Sequence, residues 1–147
     1  MISKMLADFY EQDLSRVKDE ILQFRNEDNL WLTVGTAKNS AGNLVLHLVG
    51  GTSYLIGSLL AHTGYQRNRE QEFLLKGIPR AALLQQLDSL IALVGNTLRA
   101  MPAETLGSPY PIPFDDKEVP VRYVLVKLLG HINYHLGQIN YLRRMLE

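Results

Sequence analysis

The chain has 147 residues, with fifteen Lys and Arg set against fifteen Asp and Glu. That balance counts against a non-specific nucleic-acid binder, which needs clustered basic surface to displace counterions from phosphate. With 46% apolar residues, 20% charged residues and no cysteine, disorder, disulfides, thiolate metal sites and a cysteine nucleophile are all excluded.

The N-terminal residues mix charges from the start and lack an apolar signal-peptide core. The first predicted helix is marked by Leu6, Tyr10, Leu14, Val17, Ile21 and Phe24 at three- and four-residue steps. It fades in the polar run Arg25 to Asn29. After a loop with Gly35 and Asn39, Ser40 suits the N-cap of a second helix reaching about Ala61, where Thr63 and Gly64 stop it. No charged residue occurs from Asn39 to Gln66, but interspersed polar side chains and glycines favour a helix buried among helices over a membrane span. The expectation is a soluble, cytoplasmic protein.

A linker from Tyr65 to Gly77 holds Arg67, Arg69, Glu70 and Glu72 around Phe73. Pro79 fits a first helical position, and Leu83, Leu87, Leu90, Val94 and Leu98 mark the third helix, closed by Pro102. Five of the six prolines lie between Pro102 and Pro120, so no helix passes through that segment. The fourth helix runs from about Val119 to Leu146 on Val121, Leu125, Leu128, Ile132, Ile139 and Leu142. No strand period or internal repeat appears. The prediction is one all-α domain over residues 1–147: a four-helix bundle with a Pro-rich loop between helices three and four.

The histidines carry the candidate chemistry. His131 and His135 are four residues apart, which puts both imidazoles on one helix face, within reach of one ion. Both fall on the inward stripe, and His47 occupies the matching place on helix two. Three neutral imidazoles converging in a bundle would leave further coordination positions open, the catalytic pattern. The plainer alternative is a set of hydrogen-bonded core histidines. His62 lies fifteen residues beyond His47, on the order of 22 Å along a helix, too far to share an ion. Gly50, Gly51 and Gly57 on helix two and Gly130 and Gly137 beside the histidine pair suggest close helix approach or space for a ligand.

The run His131-Ile132-Asn133-Tyr134-His135-Leu136-Gly137-Gln138-Ile139 resembles the H-x-x-x-H-x-G-Q-I motif of the DinB-like superfamily. Ser40 to Leu48 is similar to that family's segment with the first ligand, and Arg67 to Phe73 resembles the R-x-R-x-x-E-F linker of one subfamily. The resemblance implies a mirrored up-and-down four-helix bundle and a divalent metal, zinc or nickel, on His47, His131 and His135. It also implies a metal-dependent enzyme of the thiol-dependent S-transferase or hydrolase type. Such an enzyme acts on a small electrophile, with an external low-molecular-weight thiol as co-substrate. The alternative is a non-catalytic metal-binding or structural dimer.

Tyr54 and Gln138 are candidate substrate-pocket residues; Tyr134, 100° round the helix from His135, has a weaker claim. No catalytic residue is identified, and the acids nearest the histidine pair in sequence are Glu118 and Glu147. Arg67 and Arg69 could bind an anionic group, although a linker salt-bridged by Glu70 and Glu72 is the simpler reading. Helices two and three are apolar on more than one side, which predicts a homodimer through them. No nucleic-acid or membrane partner is expected.

Overall fold

A computed structural model describes residues 1–147. The fold is all-α, with five α-helices and no strand. The first, α1 (Ile2–Gln23), buries Leu6, Ala7, Tyr10, Leu14, Val17 and Ile21 at helical spacing. Its last carbonyls, those of Ile21, Leu22 and Phe24, accept hydrogen bonds from Nη1 of Arg80 at 3.2, 3.3 and 2.7 Å. A short 3₁₀ turn at Glu27–Trp31 follows.

Helix α2 (Ala41–Thr52) begins where Ser40 Oγ accepts from the Asn43 N–H at 3.2 Å. It continues as a π-helical stretch over Ser53–Ser58. Every residue of α2 is buried within the single chain. The predicted linker explains this, because it contains a helix, α3 (Arg69–Leu74), packed against α2. Asn43 Nδ2 ties the two together by donating to the carbonyls of Glu72 and Leu75 at 3.0 and 2.8 Å. Leu46 and Val49, on a second apolar side of α2, are covered by the chain itself.

Helix α4 (Arg80–Ala100) follows Pro79, which caps it from one position outside, and buries Leu83, Leu87, Leu90, Val94 and Leu98. Its Leu84, Ile91 and Leu93 are half-buried. Between α4 and the last helix lie a 3₁₀ turn (Ala103–Gly107) and a doubled-back segment closed by the bridges Pro109–Pro120 and Phe114–Lys117. Tyr110 Oη from this segment donates to the carbonyl of Leu55 in the π-helical stretch. That tie gives a partner to a backbone group at an irregular turn. Helix α5 (Val121–Leu146) buries Val121, Val124, Leu125, Leu128, Ile132, Ile139 and Leu142.

One core of 30 buried residues draws on α1, α2, α4 and α5 together. α1 packs on α4 and α5, and α2 packs on α3, α4 and α5. No helix is long and apolar enough to cross a membrane.

Candidate metal centre

The helix period places His131 and His135 one turn apart on α5, with ring centroids 4.4 Å apart. His47 reaches them from α2, its centroid 5.1 Å from that of His131 and 5.2 Å from that of His135. One ring nitrogen from each of the three lies within 4.8 Å of the others. The Nε2 atoms of His47 and His131 are 3.1 Å apart. His62 stands outside this cluster, exposed, with φ at 55°.

His47 is buried, whereas His131 and His135 keep access to solvent. The histidine pair therefore sits on the flank of the buried stripe, rather than on the stripe as the sequence spacing indicated. The stripe itself passes through Leu128, Ile132 and Ile139.

Two of the three imidazoles are held from behind. Glu72 Oε1 lies 3.0 Å from Nδ1 of His47, and Gln138 Oε1 lies 2.6 Å from Nδ1 of His135. An Nδ1–H donating to each acceptor leaves the Nε2 lone pair free, and that of His47 faces Nε2 of His131. Glu72 is itself buried and gripped by Arg67, whose Nε and Nη2 donate to its two carboxylate oxygens at 2.9 and 3.0 Å. Gly50 makes room for this carboxylate: a Cβ there would come within 2.0 Å of Glu72 Oε2. Gly130 and Gly137, in contrast, face open space.

Glu72 thus joins the site from a segment whose charges suggest an anion-binding pair of arginines or a salt-bridged linker. Its bond to Arg67 fits that expectation; its bond to His47 lies beyond it. The adjacent Gly50 and Gly51 on a buried helix were the signal that something approaches closely there.

All three histidines favour the neutral form. Burial, the neighbouring His135 and His47, and the fields of Arg67 and Arg69 push His131 down to about 4. Burial also lowers His47 against the opposing hydrogen bond it donates to Glu72, and lowers His135 against the one it donates to Gln138. Neutral imidazoles are the form that ligates metal.

The residues fit a metal ion. Two nitrogens each about 2.1 Å from one ion lie roughly 3.0–3.4 Å apart at right-angled to tetrahedral geometry. The His47–His131 separation of 3.1 Å falls in that interval. An all-imidazole set suits zinc or nickel better than magnesium or calcium, which prefer oxygen.

A cavity of about 630 Å³ opens beside the cluster, its wall including His47, His131, Leu55 and Tyr134. A second, more apolar cavity of about 420 Å³ shares Tyr134 with it and includes Gln138 and Leu44. Gln138 therefore both holds His135 and lines a cavity. Tyr54 is half-buried and close enough to Tyr110 to help burial raise that phenol's pKa, and Leu55 takes the place on the larger cavity's wall. Tyr134, whose position round the helix argued against it, borders both cavities because the histidines themselves lie on the helix flank.

The profile of the DinB superfamily matches residues 8–139. The chain belongs to the DinB superfamily. Within that family frame, the cluster of His47, His131 and His135 is compatible with a metal site. No curated protein matches the chain.

Proposed function

We propose that this DinB-superfamily chain is a metal-dependent enzyme acting on a small electrophile, with a divalent ion, zinc or nickel, held by His47, His131 and His135. The carrying observation is the convergence of three imidazole nitrogens within 4.8 Å of one another, with the His47–His131 pair at 3.1 Å. The chemistry such an ion supplies is the acidification of a thiol or water that reaches it. The chain's own residues do the rest. Glu72 and Gln138 fix the tautomer and ring plane of His47 and His135. Arg67 holds Glu72 in place through two hydrogen bonds, and the cavity beside the cluster gives a substrate access.

The reaction class we favour is thiol-dependent S-transfer, with an external thiol as nucleophile, or hydrolysis. The fold reading that accompanies it is a single four-helix domain of mirrored up-and-down topology, formed by α1, α2, α4 and α5. A cytoplasmic location goes with the external thiol. Self-association rests on the half-buried Leu84, Ile91 and Leu93 of α4 now that α2 is covered. A single monomeric species in sedimentation at micromolar concentration would remove it.

A second reading, a metal-binding bundle without catalysis, draws on one observation. Glu72, the acid in contact with the cluster, has both oxygens engaged by His47 and Arg67, so it is not free to act as a base. Assays of thiol-dependent epoxide opening and ester hydrolysis separate the two. Turnover that requires zinc or nickel and vanishes in His47→Ala supports the enzyme. Equal background rates in loaded, chelated and variant protein leave the non-catalytic bundle.

A further inference from the structure

The larger cavity is electrostatically uneven. In a chain with equal numbers of acidic and basic residues, its wall gathers Arg67, Arg69 and Lys127 against one acid, Asp115. Arg67 is neutralised by its paired bonds to Glu72. Arg69 and Lys127 have no acidic partner: neither takes part in any ion pair or side-chain hydrogen bond of the chain. Arg69 is nonetheless positioned, its guanidinium 5.5 Å above the ring of Phe73. Stacking on an aromatic face orients a guanidinium while leaving its charge and its outer N–H groups available.

The cavity, at about 630 Å³, is the size of a small-molecule site. Charge focused in a concave wall attracts ligands of opposite sign more strongly than the same charge on a flat surface.

We propose that this cavity recognises a small organic anion, gripped at its carboxylate or phosphate by Arg69 and Lys127, with the rest of the molecule extending toward His47 and His131. Asp115 sits on the same wall at a tight turn, closed by Phe114 N–H to Lys117 carbonyl at 2.8 Å, with its own φ at 50°. Its unpaired carboxylate opposes a second negative charge on the ligand, so it trims the preference toward singly charged anions or those carrying an ammonium. The inference deepens the enzyme reading by naming a substrate class, yet the grip itself uses no metal ligand.

Calorimetric titration with butyrate, dimethyl phosphate and the neutral butyramide tests this, on the protein as purified and after chelation. Binding of butyrate or dimethyl phosphate, but not butyramide, is expected; whichever anion binds tighter names the head group. Arg69→Gln combined with Lys127→Gln weakens that binding by about tenfold or more, and Asp115→Asn tightens it severalfold. Arg144→Gln is the matched control, since Arg144 also lies over an aromatic ring, Tyr141, at 5.4 Å, but outside this cavity. It leaves binding unchanged. Butyramide binding as well as butyrate, or the double variant binding like wild type, overturns the proposal. Anion binding by a chain that retains no metal supports the anion site while defeating the metal centre. Metal retention without anion binding does the reverse.

Discussion

Oε1 of Glu72 lies 3.0 Å from Nδ1 of His47, and both side chains are buried. A carboxylate in that position keeps the proton on Nδ1, aims Nε2 at the other two histidines and raises its basicity as a ligand. The relationship depends on α3 folding back over α2, and on Gly50 leaving space for the carboxylate.

Glu72→Gln keeps an acceptor near His47 but removes the charge. Its affinity for zinc, measured against a chromophoric chelator, is expected to fall roughly 10- to 100-fold while the helical content stays unchanged. Unaltered affinity would mean that Glu72 serves only to anchor the Arg67 segment.

Gly50→Ala places a methyl group where Glu72 Oε2 now sits, at 2.0 Å. The expected cost is about 1–3 kcal/mol of stability, together with weaker metal binding as Glu72 is displaced. Gly137→Ala meets nothing within 4 Å on a helix and gains up to about 1 kcal/mol. Thermal unfolding of the two variants beside wild type reads opposite signs.

The depressed histidines make the metal-free protein sensitive to acid. Their neutral forms are favoured when folded, so the unfolded chain binds more protons below its ordinary histidine pKa of 6.5. Stability contributed by the neutral triad is complete above that pH. It falls as the pH drops, and His131's share of the loss is complete only below about 4. Urea unfolding of chelated protein at pH 7 and pH 5 should show a smaller loss for His131→Gln than for wild type. Identical losses would contradict the depression of His131.

Tyr110→Phe removes the donor to the carbonyl of Leu55 at the irregular turn of the cavity wall. A half-buried acceptor left without its partner costs about 1 kcal/mol. Denaturant unfolding measures the loss, and no loss would show that water replaces the hydroxyl.

Much of this was legible in the amino-acid order. The apolar steps from Leu6 to Ile21 and from Leu83 to Leu98 mark α1 and α4, and Ser40 caps α2 as its side chain suggests. The four-residue spacing of His131 and His135 does put the rings together. Helix α3 escaped because six residues are too few to display a helical period, and its Asn68 cap lies in a run of polar residues. Without α3 the outer apolar face of α2 reads as a surface for a second subunit, whereas α3 covers it within the chain. The pairing of His47 with Glu72 spans 25 residues and depends on tertiary approach, which no local pattern encodes. The same holds for Asp115, which reaches the cavity through the doubled-back Pro-rich segment.

Metal content after chelation and re-equilibration with equimolar zinc and nickel tests the central claim most directly. Wild type, His47→Ala, His131→Ala and His135→Ala are compared by mass spectrometry, with circular dichroism confirming that each is folded. About one ion per chain in wild type, lost in every folded variant, is the expected result for one three-histidine site. Wild type that retains no ion, or folded variants that retain as much as wild type, would contradict it.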